Sequence, residues 1–101
     1  MAIAGKQFPF TAILVAGAPN DAGVYALWEN GELLYIGRAN GGRSTVRTLL
    51  IDHLAGLHGP CTQRATHYQW EISLTPELRE VELLEEYHAQ FRRLPRCNRA
   101  R

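Results

Sequence analysis

The stretch GVYALWENGELLYIG, residues 23–37, constrains the fold more than any other. Two β-prone runs meet there at Glu29-Asn30-Gly31, and Asn-Gly between alternating apolar residues is the strongest short-range hairpin signal. Residues 22–29 and 32–38 are therefore expected as antiparallel strands. Register then decides what the hairpin can do, because side chains alternate between faces with period two. A two-residue Asn30-Gly31 loop pairs Tyr25 with Ile36 and puts Tyr25 and Tyr35 on opposite faces. A three-residue Glu29-Asn30-Gly31 loop, with Gly31 in the left-handed bulge position, sets Tyr25 opposite Tyr35 and Gly23 opposite Gly37. The three-residue loop is the expectation, since it brings both hydroxyls to one site beside bare backbone that a ligand could approach.

The remaining patterns supply what packs on this hairpin. Gly41-Gly42 opens a loop, and Ser44 or Thr45 can cap a helix running to about Leu57. Thr66, Tyr68, Trp70, Ile72 and Leu74 alternate through residues 66–74, which argues a third strand. Thr75-Pro76 reads as a capped helix start with proline at its first position, and that helix runs to about Arg93. After an N-terminal segment without a clear signal, the order is β-β-α-β-α. That is a small antiparallel three-stranded sheet flanked by helices, in the α+β class.

Composition bounds this picture. With 101 residues, 46% hydrophobic and 21% charged, residues 1–101 suit one ordinary globular domain with a modest core. The apolar run TAILVA (11–16) is too short for a bilayer and follows one cation, Lys6, so neither a signal peptide nor a membrane span is expected, and the expected home is the cytoplasm. Cys61 and Cys97 are a poor disulfide framework for a chain this apolar and are expected as free thiols. His58 and Cys61 stand three apart, but a zinc site completed by His53 or Cys97 is set aside in favour of packing roles.

The helix faces single out two polar residues. At ~100° per residue, Leu83, Leu84, Tyr87, Phe91 and Leu94 form one apolar stripe, with Glu80 near its centre one turn earlier and Glu82, Glu85 and Glu86 on the far side. A carboxylate aimed into packed territory costs several kcal/mol unless it is paired, hydrogen-bonded or on a metal. Glu80 therefore wants a partner, and it is expected to be the one glutamate of its helix that faces the tyrosines. In the earlier helix Val46, Leu49, Leu50, His53, Leu54 and Leu57 share a face, so His53 points inward. The formal net charge is only +1, yet Arg92, Arg93, Arg96, Arg99 and Arg101 form a stretch with no acid. That stretch could track a phosphate backbone or be a solvated tail.

Gly23-Val24-Tyr25 and Tyr35-Ile36-Gly37, with the tyrosines ten positions apart, are followed by a helix bearing His53, by Glu80 before Leu83-Leu84, and by LPRCN ending on Asn98. In order and spacing this resembles the GIY-YIG nucleases over about residues 22–98. The resemblance implies metal-dependent hydrolysis of phosphodiester bonds in DNA or RNA, DNA in the first place. Glu80 would hold Mg2+ or Mn2+. Tyr25, with Tyr35 beside it, would activate or position the attacking water, His53 would lie near the phosphate, and Asn98 would hold the site closed. Gly37, Arg38, Arg43 and Arg96 would meet the substrate. Where many family members carry an arginine four residues before the histidine, this chain has Leu49. The charge-stabilising role then falls to Arg47, which borders the inward face, ahead of Arg43 and Arg38. The alternative implied by Leu49 is a catalytically weakened domain that binds nucleic acid or a protein partner.

Overall fold

A computed structural model describes Ile3 and residues 5–99. Its elements are β1 (Phe8–Pro9), α1 (Ala12–Val15), β2 (Gly23–Glu29), β3 (Glu32–Ala39), α2 (Val46–Leu54), α3 (Pro60–Gln63), β4 (His67–Ile72) and α4 (Pro76–Phe91). The class is α+β, but the antiparallel sheet has four strands in the order β1-β4-β2-β3, not three. The addition is the short β1, whose Phe8 and Pro9 pair with Tyr68 and His67. Two residues carry no readable alternation, so the sequence pattern could not announce it. Among the described residues no helix is long and apolar enough to cross a membrane.

The hairpin corrects the expected register. Its loop is the two-residue Asn30-Gly31, with positive φ at both positions (47° and 89°), as a type I′ turn demands. Glu29 faces Glu32 and Trp28 faces Leu33, after which the register slips and Leu27 faces Tyr35. Leu34 is the extra residue of a β-bulge. Beyond it Tyr25 pairs with Gly37 and Gly23 with Ala39, so neither expected pair, Tyr25 with Tyr35 nor Gly23 with Gly37, forms. The bulge still brings Tyr25, Leu27 and Tyr35 to one face, since one added residue restores the alternation that the two-residue loop offset.

That face packs on α1 and α2. Tyr25, Leu27, Leu34, Tyr35, Tyr68, Val15, Val46 and Leu50 belong to one buried cluster, while Val24, Ala26, Ile36 and Leu83 form a second on the other face. The sheet is thus sandwiched between α1/α2 and α4. Thr45 caps α2 through a reciprocal box with Thr48, and Val46, Leu50 and His53 line its buried side. The helix stops at Leu54, earlier than expected, and Leu57 lies exposed in the loop beyond. At α4 the expected Thr75 cap is absent: its side chain bonds no helix N–H, and Thr75 N–H donates instead to Ser73 Oγ. Pro76 starts the helix and Arg92 ends it in the left-handed conformation.

Cys61 and Cys97 are not free thiols. They form a disulfide across 36 positions, joining α3 to the segment after α4. Cysteine counting cannot see that the chain end returns to β3, where the Cys97 N–H donates to the Leu34 carbonyl at 2.8 Å.

Candidate functional site

Tyr25, from the centre of β2, and Tyr35, from β3, reach His53 of α2. The Tyr25 hydroxyl lies 2.9 Å from His53 Nε2, and Thr62 Oγ1 of α3 lies 2.8 Å from Nδ1. The two tyrosine rings are 6.1 Å apart between centroids, and the Tyr35 and His53 rings 5.1 Å. All four residues are buried, and the exposed His58 stacks on the His53 ring at 4.1 Å. Burial, with the neighbouring His58 adding to it, pushes His53 down from 6.5 to about 3. Its ring is therefore neutral at physiological pH, with one nitrogen donating and the other accepting. Such a ring orients the Tyr25 hydroxyl and is far too weak a base to remove its proton.

Gly37 makes this arrangement possible. A Cβ there would stand 2.5 Å from both the Tyr25 Cζ and hydroxyl oxygen and 2.7 Å from a Tyr35 ring carbon. The Tyr25 ring occupies the space that a side chain would need.

Glu80 is buried while Glu82 and Glu85 are exposed, but it does not face the tyrosines. Helix α4 lies on the opposite face of the sheet, where Glu80 Oε1 accepts from Arg38 Nη1 at 2.8 Å. The helical phase was readable; which face of the sheet α4 covers is set by how the chain crosses over after β4 and is not written in that phase. Arg38 stands opposite Val24 in the register, two residues past Ile36, and so shares the α4 face.

Asn98 does act on the site's frame. Its Oδ1 accepts from the Ile36 N–H and its Nδ2 donates to the Ile36 carbonyl, both at 2.9 Å, so one side-chain amide continues the sheet at the free edge of β3. Ile36 is the residue between Tyr35 and Gly37.

The remaining arginines stand elsewhere. Arg47 Nε donates to the Ala18 carbonyl at 2.8 Å, tying α2 to the end of α1. Arg43 is exposed in the loop before α2. Arg96 pairs with Glu29 at 2.7 Å and with Glu32, at the turn end of the hairpin. Arg92, Arg93 and Arg99 are exposed, whereas Arg101 lies outside the described residues. Thr62, the stacking of His58 on His53 and the Arg38–Glu80 pair are what sequence reasoning missed. Thr62 had no signal, because its nearness to His53 depends on the turn of α3.

No family model, curated protein or solved structure matches this chain. Among the described residues, no three of His, Cys, Asp and Glu gather as a ready-made metal cage. Glu80, the residue the resemblance assigns to the cation, brings one carboxylate, already bonded to a guanidinium. Such an oxygen donor suits Mg2+ or Mn2+, which take one or two carboxylates and complete their shell with water and substrate phosphate.

Proposed function

We propose that this domain is a metal-dependent hydrolase of nucleic-acid phosphodiester bonds, of the GIY-YIG type. The observation that carries the reading is that edge strand β3 bears Tyr35 and Gly37, beside Tyr25 and His53, on one face and Arg38 with Glu80 on the other. A phosphate lying at that edge beyond Asn98 would meet hydroxyls from one side and a cation from the other. Tyr25, oriented by His53, and Tyr35 position the attacking water. Arg38 neutralises charge developing on the phosphoryl oxygens, a role the bond from Arg47 to Ala18 takes away from Arg47. When bound at Glu80, a divalent ion supplies Lewis-acid polarisation of the phosphoryl oxygen. Asn98 keeps β3 in register, and the exposed Arg43, Arg92, Arg93 and Arg99 offer phosphate contacts along a strand.

A second reading is a domain that binds nucleic acid, or a protein partner, without cutting. It is favoured by Leu49 and by the engagement of Glu80 with Arg38 on the face away from the tyrosines. The deciding experiment incubates branched, single-stranded and duplex DNA with the protein and Mg2+ or Mn2+, beside Glu80→Ala. Metal-dependent cutting lost in the variant supports the hydrolase. Retention of DNA on the protein with no cutting by either form supports the binding module.

A further inference from the structure

The disulfide joins two short pieces of chain, and each carries, at the very next position, a side chain that holds the tyrosine cluster. Thr62 follows Cys61 and contacts His53; Asn98 follows Cys97 and brackets Ile36. The first piece, α3, is a single turn with no side-chain cap. The second is seated on β3 by the bond from Cys97 to Leu34, by the buried Pro95 and by the Arg96–Glu29 ion pair. Those last two anchors do not pass through the sulfurs. They keep the segment near the sheet when the cross-link opens.

We propose that the Cys61–Cys97 disulfide is a redox switch on the Tyr25–Tyr35–His53 cluster. Oxidised, it locks Thr62 against His53 and Asn98 against Ile36; reduced by a dithiol, it releases both. Cys61 is partly exposed whereas Cys97 is buried, so the thiolate of the dithiol attacks Cys61 Sγ. Cys97 Sγ leaves as a thiolate and takes up a proton. The second thiol of the reductant then displaces Cys61, which is protonated in turn. Two electrons and two protons pass to the protein, and the reductant ends as a cyclic disulfide. Opening a cross-link between positions 36 apart returns chain entropy first to α3, a single uncapped turn, and to the Cys97–Asn98 end of the second piece, which lies past its anchors at Pro95 and Arg96.

The test uses the full chain, oxidised or reduced with dithiothreitol, followed by NMR. On reduction, amide exchange at Ile36 and Cys97 is expected to rise about 10- to 100-fold, a scale set by the constraint such a cross-link imposes. Exchange at Ala26 and Leu27 in the sheet centre stays within about twofold. The His53 titration moves up toward its ordinary value as water reaches the ring. Cys61→Ser/Cys97→Ser reproduces the reduced state, and reoxidation of the wild type reverses it. Unchanged exchange at Ile36 overturns the switch. So does a uniform rise at every amide, in the reduced wild type or the variant, because the bond is then a plain staple for the whole fold. A fall in DNA cleavage on reduction is also expected; that arm alone rests on the function proposed above. If exchange switches while neither redox form cuts DNA, the hydrolase reading fails and the switch stands.

Discussion

The Tyr25 hydroxyl and His53 Nε2 meet at 2.9 Å inside the protein, on a histidine that burial holds at about 3. An unfolded histidine titrates near 6.5, so between these values the unfolded chain binds the additional proton. Stability therefore rises with pH through that window: it is fully present above about 6.5 and drains away as pH falls toward 3. We expect the wild type to lose stability on acidification from pH 7 to 4. The contribution of His53 approaches about 1.4 kcal/mol per pH unit in mid-window. His53→Gln, which cannot titrate, should show a shallower slope; subtracting the two denaturation profiles removes the common effect of the carboxylates. Parallel profiles would refute the assignment.

Asn98 offers a test in which the sign changes with pH. Asn98→Ala removes both bonds to Ile36 and should cost about 2 kcal/mol in urea denaturation. Asn98→Asp keeps an acceptor for the Ile36 N–H but turns a second oxygen toward the Ile36 carbonyl. Its folded pKa should therefore lie above the usual carboxylate range. The variant should then gain stability relative to Asn98→Ala below that range and lose it as pH rises through the folded value.

For the pair across β3, Arg38→Ala takes away the cation bonded to the buried Glu80 and should destabilise by about 1 to 3 kcal/mol, discounted because Arg38 is itself about one-third exposed. Arg38→Met with Glu80→Leu should recover most of that loss, since a packed apolar pair avoids burying charge. A double-mutant cycle reads the coupling directly. In the cleavage assay, Arg38→Ala should slow cutting by about 100- to 1,000-fold, and Arg47→Ala should leave the rate per folded molecule near wild type. The reverse ranking would return the charge-stabilising role to Arg47.

Gly37→Ala should destabilise by about 1 to 3 kcal/mol through overpacking against Tyr25, although alanine is ordinarily the better residue within a strand. Adding Tyr25→Val should relieve the clash, so the two changes together should cost less than the sum of each alone. Strict additivity would mean that the Tyr25 ring does not fill the place of the missing side chain.

Much of this was written in local patterns. Val46, Leu50 and His53 line the buried side of α2 as their spacing says, and the buried position of Glu80 followed from helical phase alone. Asn30-Gly31 also announced its own two-residue turn; both tyrosines can share a face with that turn only through a bulge later in β3. A bulge at Leu34 leaves no mark, since Leu-Leu-Tyr fits a plain strand equally well. Which residues of β3 face α4, and hence that Glu80 meets Arg38, depended on that bulge. Contacts between distant segments were equally silent: Thr62 with His53, Asn98 with Ile36 and Cys61 with Cys97 are all set by how the chain closes on itself.

The bulge at Leu34 works as a parity bit for β3. Leu34 and Tyr35 share the α1/α2 layer, so flattening the bulge with Leu34 kept in the ladder would move every side chain from Tyr35 to Ala39 to the other side: the tyrosine would turn to α4, while Arg38 would press into the aromatic layer and leave Glu80. Deleting Leu34 altogether would instead leave Trp28 opposite Leu33 and Leu27 opposite Tyr35, a plain hairpin with the sides kept. Removing Leu34 should therefore cost its buried side chain but not the sidedness of the strand, whereas inserting one further residue beside it, if paired in the ladder, should reverse the sides from Tyr35 onward, like a frameshift at the level of the pleat instead of the codon.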